Sequence, residues 1–434
     1  MRDIIITLIV FGAVPWIIRR PSIGILVWSW LAYMNPHRMS WGFAYHLPFS
    51  AVTAIAIFVG FLVSKEPKRI PVKPVTVVWV LFILWMLVTT LFAIHPDAAF
   101  IGMKRSMKIQ LMALFTVMLM AKRERINQLI WVIAFSIGFF GIKGGIFTIL
   151  TAGHYRVWGP PETFIEGNNE LALALIIIMP LMRYLQQQTT NIWVSRAILA
   201  SMVLSGFSIL ASYSRGALLA GVAMLISLWW KGKNRVTAAI MIVIMIVSII
   251  PFVPHKWTSR METIDTYEED ASALGRINAW HFAYNLASDR PLVGGGFNVF
   301  SEDMFLIYAP HPYDFHDAHS IYFQILGEQG YVGLVLFLLL WLLTFKSGHW
   351  IIVRTSNRPD LGWAHDLASM LQVSLIGYMV GGAFLGLAYF DLPYSILVLM
   401  LLTRVVVEQK LDSASLQDPE KESAARLDSK PGVI

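Results

Sequence analysis

The segment HPYDFHDAHSIYFQILGEQGYVG, residues 311–333, contains side chains suited to acid–base chemistry. His319 and Ser320 are followed by nine residues, then by Gly330 and, after two more residues, by Gly333. A neutral imidazole at the end of a polar stretch can accept a proton near pH 7. A lone histidine there is more often a hydrogen-bonded interfacial residue, so the functional interpretation depends on the glycines. Small residues one helical turn apart let another backbone approach closely, and we interpret Gly330 and Gly333 as packing residues.

Two arginines are candidates for binding phosphate. Arg215 begins an apolar segment in SYSRGALLAG, and Arg276 lies in GRINAWHFAYN. A guanidinium at membrane depth is costly unless it snorkels to headgroups or meets an anion, and it suits bidentate phosphate contacts. In isolation, Arg276 would more often be a solvated loop charge. Lys104 and Arg105, near the outer end of another apolar segment, are further candidates, although bulk anionic headgroups would need the same residues.

A group of histidines and aspartates near residue 316 resembles a metal site only superficially. Its spacing fits neither HExxH nor a zinc finger. The chain has no cysteine, which excludes thiolate ligands, thiol nucleophiles and disulfides. We therefore predict no metal and no cofactor. The group consists of His311, Asp314, His316, Asp317 and His319.

The composition indicates which elements must position these residues. Hydrophobic residues make up 56% of the 434 residues, charged residues only 14%, and the mean hydropathy is +0.62. A soluble core of this length cannot bury so much apolar surface, so the solvent must be largely lipid. The net charge of +7 comes from short basic clusters beside apolar segments. This pattern is typical of membrane topology rather than of nucleic-acid binding.

The apolar segments predict an all-α polytopic membrane protein with about twelve transmembrane helices. Residues 4–18 and 22–34 are separated by Arg19, Arg20 and Pro21, so this pair makes either one crossing or two. The other predicted spans are residues 48–64, 75–94, 104–121, 126–150, 170–185, 195–211, 216–230, 237–253, 331–345, 368–388 and 394–407.

The basic clusters KEPKRIPVK, AKRER and KGKNR, and the loop with Lys346, Arg354 and Arg358, lie on one face and predict the cytoplasmic side. The opposite, periplasmic face is predicted to carry residues 35–47, 95–103, 151–169, 212–215 and 254–330. On this basis residues 1–253 form an N-terminal bundle and residues 254–330 form a large outward-facing loop. Short amphipathic helices are expected in that loop, for example over residues 274–289. Residues 331–407 are C-terminal transmembrane helices, and residues 408–434 are a disordered cytoplasmic tail.

Three further blocks precede the His319 motif: GNNELALALIIIMPL, YSRGALLAG and GRINAWHFAYNLASDRPLVGGGFNVF. In this order the four blocks resemble the O-antigen ligase and polymerase superfamily over roughly residues 150–345. In the first block, capping of the following helix is the simplest role for Asn168.

The resemblance implies a glycosyltransferase in the bacterial inner membrane with its active site facing the periplasm. The donor would be an undecaprenyl-diphosphate-linked glycan and the acceptor the lipid A-core of lipopolysaccharide. His319 would act on the acceptor hydroxyl, while Arg215 and Arg276 would bind the donor diphosphate. The reaction would be inverting and metal-independent, and the partners would include membrane lipids but no nucleic acid.

Three alternatives remain open at this point. A polymerase and a protein O-oligosaccharyltransferase of the same superfamily would use the same donor class with another acceptor. A transporter of lipid-linked glycans would also have many spans. It would typically show charges within the spans and internal pseudo-symmetry, and the sequence shows little of either.

Overall fold

The computed structural model describes residues 1–66, 68–232 and 271–417, and within these residues all regular secondary structure is helical. The predicted all-α class is therefore confirmed over these ranges. The α-helices are numbered here in chain order as α1 (Arg2–Arg19), α2 (Pro21–Met34), α3 (Phe49–Val63), α4 (Pro74–Leu91), α5 (Pro96–Leu119), α6 (Arg123–Leu150), α7 (Asn168–Gln188), α8 (Ile192–Leu210), α9 (Arg215–Lys231), α10 (Ala271–Asp289), α11 (Glu302–Tyr308), α12 (Ile321–Thr355), α13 (Gly362–Gly382) and α14 (Asp391–Gln417).

Five of the described helices are long and apolar enough to cross a membrane, namely α4, α6, α7, α8 and α12. The helices α2 and α3 are apolar but shorter. These helices fit a polytopic membrane protein, whereas the count of about twelve crossings stays a prediction. The span predicted at residues 237–253 and the first part of the loop, residues 254–270, lie outside the described residues.

The first two helices form an antiparallel hairpin. Pro21 occupies the first position of α2, where its fixed φ and missing N–H favour helix initiation. At the other end of the hairpin, Arg2 donates to the carbonyl of Met39 at 3.3 Å. The carboxylate of Asp3 accepts from the N–H of Ala44 at 3.1 Å. The N-terminus and the connection after α2 therefore lie at the same end of the bundle.

The helix α7 forms the centre of the bundle and packs against α6, α8, α9 and α13. Its residues from Leu171 to Ile178 are at most 2% exposed, as expected for a helix that is apolar on all sides. Close packing of α6 on α8 requires glycine at position 145, since a Cβ there would collide with the carbonyl oxygen of Leu204.

The large loop is partly helical where the structure describes it. The predicted helix at residues 274–289 is present as α10, and it buries Ala279, Phe282 and Leu286 on one face. The helix α12 begins at Ile321, well before the predicted boundary at residue 331. Its first turns carry polar side chains, so hydropathy alone placed the boundary too late.

Two other helix boundaries differ from prediction. The helix α5 begins at Pro96 rather than near residue 104, with proline at the first helical position. The helix α14 continues to Gln417, so residues 408–417 of the predicted disordered tail are helical. Glu408 accounts for part of this extension, because it pairs with Arg404 one turn earlier at 3.0 Å and with Lys73 at 2.6 Å.

Candidate functional site

The motif histidine lies in the last residues before α12. His319 has a φ of 40°, in the left-handed region, and Ser320 is the buried residue that begins the helix. The segment is attached to α10 by Trp280, whose indole N–H donates to the Ala318 carbonyl at 2.9 Å. The same indole stacks on Phe323 with ring centroids 5.0 Å apart. The backbone that carries His319 is thus fixed by contacts from two helices.

The electrostatic environment favours the neutral form of His319. Partial burial lowers the pKa of the imidazole below its usual 6.5, and the nearby charge of Arg276 lowers it further. His316 acts in the same direction, whereas Asp317 raises the pKa. A neutral imidazole can accept a proton at pH 7.

The structure brings Arg276 of α10 together with two other elements. Its charge acts on His319, before α12, and on Glu170 in the first turn of α7. The three residues are distant in sequence, and the fold brings both His319 and Glu170 within electrostatic range of Arg276. The His316 ring also lies against Gly275, the residue before Arg276. Arg276 is half-buried, which strengthens its electrostatic interactions relative to those of a solvated loop charge.

Arg215 is the first residue of α9, where the positive end of the helix dipole also favours anions. Ser214 caps this helix by accepting a hydrogen bond from the Ala217 N–H at 3.1 Å. The turn after α13 contacts both the start of α9 and the backbone of His319. Its Phe384 packs against Gly216, and a Cβ on its Gly386 would lie 3.9 Å from the backbone nitrogen of His319.

The proposed capping role of Asn168 is wrong. Gly167 occupies the N-cap of α7 without a side-chain hydrogen bond, and Asn168 is the first residue inside the helix. Its amide instead donates to the carbonyl of Ser212 at 2.5 Å. This bond ties α7 to the short connection between α8 and α9 that leads to Arg215.

Lys104 and Arg105 are on α5, more than one turn inside the helix because it begins at Pro96. The ammonium of Lys104 lies 4.7 Å from the centroid of the Phe100 ring. The guanidinium of Arg105 lies 3.9 Å from the centroid of Phe164, in the loop before α7. These aromatic contacts engage both cations within the protein, and in the described part of the chain neither cation contacts His319.

Gly330 separates the two parts of α12. Its φ of 68° breaks the helix, and a Cβ would collide with the carbonyl oxygen of Leu292. The following N–H, of Tyr331, donates to the Pro291 carbonyl at 2.9 Å. At Gly333 a Cβ would meet the Gln329 side chain of the preceding turn. These contacts support the predicted packing role of both glycines.

Sequence analysis missed Glu328, a carboxyl only 3% exposed within the motif. One of its oxygens accepts a hydrogen bond from the Asn298 N–H at 3.1 Å. The other finds no hydrogen-bond partner among the described residues. The neighbouring Gln329 donates to the Tyr389 hydroxyl at 2.9 Å. The available signal was the one carboxylate within the motif segment between Ser320 and Gly330.

The histidine and aspartate group around residue 316 is organised by Asn278 of α10. The amide of Asn278 donates to the carbonyls of His311 at 2.8 Å and Asp314 at 2.9 Å. His316 contacts the Asp314 carboxylate at 3.0 Å. In the described part of the chain no three such side chains converge in a way that would hold a metal ion. The observed contacts are those of a hydrogen-bonded turn.

Comparisons with known proteins divide the chain into two matched regions. Residues 200–338 match the family model described as O-antigen ligase. This region contains Arg215, Arg276, His319 and Gly330. Residues 1–190 match a family of unknown function (DUF5935). No curated protein matches the chain.

Proposed function

Because the chain belongs to the O-antigen ligase family through residues 200–338, we propose that it transfers a glycan from undecaprenyl diphosphate to lipid A-core. The transfer would occur at the periplasmic face of the bacterial inner membrane. The observation that carries this proposal is the proximity of Arg276 to the motif histidine His319, whose pKa its charge lowers. A cation within electrostatic range of a neutral imidazole suits a reaction that needs both charge stabilisation and proton transfer.

In the proposed step the acceptor hydroxyl oxygen attacks the anomeric carbon of the donor sugar. The bond from that carbon to the diphosphate oxygen breaks, and the polyprenyl diphosphate leaves. His319 takes the hydroxyl proton or orients the nucleophile. Arg215 and Arg276 neutralise the charge that develops on the leaving group. A single displacement inverts the anomeric centre.

Two cations on the leaving group make a metal unnecessary in this scheme, because they supply the charge stabilisation that a divalent ion would give. The purified enzyme should therefore retain its transfer activity in excess chelator. Loss of activity in chelator, with recovery on adding one divalent ion, would return the group around His316 to consideration as a metal site.

Separate roles for the histidine and the arginines predict separate defects. His319→Ala should reduce transfer by ~100- to 10,000-fold while lipid-linked donor still binds, since this is the usual contribution of a positioned proton acceptor. Arg215→Ala and Arg276→Ala should weaken donor binding as well as transfer. Lysine at either position should rescue only partly, because it lacks the bidentate fork. Donor affinity and transfer rate in nanodiscs provide both measurements.

The chain offers a matched control for each residue type. His281 is exposed on α10 and contacts the Ile277 carbonyl of its own helix at 3.0 Å. Arg196 lies on α8 with its guanidinium 5.5 Å from the Trp193 centroid. Alanine at either position should leave transfer unchanged, with folded yield checked by size exclusion. Near-normal transfer by His319→Ala would contradict the mechanism.

The acceptor requires its own test, because the donor chemistry is common to ligases, polymerases and protein-directed enzymes. Deletion of the gene and chemical analysis of what accumulates separates them. Loss of capped lipopolysaccharide with free lipid-linked polymer supports the ligase. Short single-unit caps would instead indicate a polymerase, and unglycosylated protein would indicate a protein O-oligosaccharyltransferase.

A further inference from the structure

A cavity of about 930 Å³ lies in the N-terminal part of the bundle. Its walls come from α1 and α6, and its rim comes from residues 36–45 and 156–161. All of these residues fall in the segment 1–190, which matches the family of unknown function. None of the residues assigned to sugar transfer lines it. The cavity therefore calls for an explanation separate from the transfer site.

Four cations line this cavity, and its charge is largely uncompensated. Arg2, Arg38, Lys143 and Arg156 all contribute to the lining. Among the residues that the structure describes, Arg38 is the one of these four with a carboxylate at ion-pair distance, that of Glu162 at 2.6 Å. The other three leave the cavity cationic.

Lys143 is the least expected of these residues. It is exposed on α6, a helix apolar enough to span a membrane, and it lies seven residues before the last residue, Leu150. At 1.5 Å per residue that is roughly 10 Å along the helix from its end. No carboxylate among the described residues pairs with Lys143 at ion-pair distance. A cation at such a depth is costly unless an anion meets it or its chain snorkels outward.

The remaining walls are apolar and aromatic. Ile5 and Ile6 of α1 face Phe140 and Phe147 of α6 across the cavity. Trp158 lies at the rim and is 58% exposed. An exposed tryptophan at the edge of an apolar lining is the arrangement expected where headgroups meet acyl chains. The cavity thus offers cations to a headgroup and an apolar wall to a hydrocarbon chain.

We propose that this cavity binds a membrane amphiphile whose phosphate headgroup carries a net negative charge. The phosphate lies between Lys143, which reaches outward from α6, and the arginines Arg2 and Arg156 at the rim. The hydrocarbon chain lies between α1 and α6. The site borders the transfer region, because the guanidinium of Arg156 is 6.0 Å from the ring centroid of Tyr213, two residues before Arg215. It does not depend on the transfer reaction.

The test uses the full chain, purified in mild detergent and titrated with dioleoylphosphatidic acid while native mass spectrometry counts bound lipid. Phosphatidylcholine with the same acyl chains tests the charge requirement, and inorganic phosphate tests the headgroup without a chain. Lys143→Gln and Arg156→Gln should each weaken phosphatidic acid binding by ~10-fold or more, as expected for loss of a charged hydrogen bond. Lys143→Arg should retain binding.

A matched control is Lys108→Gln, because Lys108 is also an exposed lysine well inside a helix, α5, but does not line the cavity. It should bind phosphatidic acid as the unmodified protein does.

An equal loss of binding in Lys108→Gln would overturn the proposal, because it would show only a general attraction of lipid to cations. Equal binding of phosphatidylcholine would overturn it as well. The proposal would also be overturned if inorganic phosphate bound as tightly as phosphatidic acid and with the same dependence on Lys143, because the acyl chains would then add no affinity. Arg156 lies in an exposed loop, so its variant keeps the test decisive if Lys143→Gln fails to fold.

Discussion

At the scale of single residues, the charge on Arg276 has two consequences for the proposed reaction. It provides a cation where a diphosphate could bind, and it lowers the pKa of His319 so that the imidazole is neutral. Protonation of His319 would place a second positive charge within electrostatic range of Arg276 in a partly buried site, which costs free energy. One arginine thus favours both the anionic donor and the proton-accepting form of the histidine.

The pH profile tests this arrangement. The pKa of His319 lies below 6.5, and its neighbour Asp317 opposes that shift. If neutral His319 is required, kcat/KM falls as pH drops through this pKa. Asp317→Asn removes the opposing charge, lowers the pKa further and should move the acidic limb to lower pH. His316→Gln should move the limb to higher pH, since His316 lowers the pKa.

The exposed Asp303, which contacts His95 at 3.1 Å, provides a control for general charge effects. Asp303→Asn should leave the acidic limb where it is. If neither Asp317→Asn nor His316→Gln shifts the acidic limb of the kcat/KM profile, another group sets the pH dependence.

Sequence alone made His319 and Arg276 candidates because the motif blocks contain them, whereas for Glu328 it offered only an isolated carboxylate within the motif segment. The importance of a carboxyl depends on what surrounds it. The partner of Glu328, the N–H of Asn298, is 30 positions away in sequence and lies in the turn between α10 and α11. Pattern and spacing do not contain such tertiary contacts.

At the scale of elements, the break in α12 is built by two segments together. Gly330 and Gly294 both have positive φ, and a Cβ on Gly294 would lie 2.6 Å from the Gly327 carbonyl oxygen. The N–H groups of Gly295 and Gly296 donate to the carbonyls of Gly327 and Glu328 at 2.8 and 2.9 Å. The carbonyls near the break in α12 are therefore satisfied by the glycine-rich turn.

Gly330→Ala should consequently destabilise the protein and reduce transfer. The substitution imposes a left-handed backbone on alanine and drives its Cβ into the Leu292 carbonyl, for an expected cost of about 1–3 kcal/mol. Thermal unfolding in detergent measures the effect. Gly206→Ala is the control, since Gly206 lies in α8 with open space around it. An unchanged melting temperature for Gly330→Ala would show that the break is not required.

The error at Asn168 also belongs to this scale. An asparagine before an apolar run favours a helix cap, and the local pattern gave no indication of another partner. In the fold, the Ser212 carbonyl lies within hydrogen-bond distance of Asn168 because α7 and α8 pack together. Asn168 therefore bonds to a residue of another segment instead of capping its own helix. This bond holds the connection that leads to Arg215.

At the scale of the whole molecule, the positions of most helices followed from composition. Apolar segments bounded by charges and prolines correspond to helices because lipid requires backbone groups to be satisfied within each segment. The start of α12 did not follow, because Gln324 and Glu328 make its first turns polar. Their partners are backbone N–H groups of Ala388 and Asn298 in other segments. Hydropathy predicts which segments contact lipid. The first turns of α12 are instead stabilised by hydrogen bonds to other parts of the protein, which hydropathy does not register.

Membrane orientation is the last prediction, and the absence of cysteine from the chain makes it straightforward to test. A single introduced cysteine is then the only thiol. Tyr155→Cys and Glu302→Cys, at exposed positions on the predicted outer side, should react with a membrane-impermeant maleimide in intact spheroplasts. Glu124→Cys and Ser356→Cys, exposed on the predicted inner side, should react only after permeabilisation. Labelling of Ser356→Cys in intact spheroplasts would reverse the orientation and remove Arg215 and His319 from the periplasmic face.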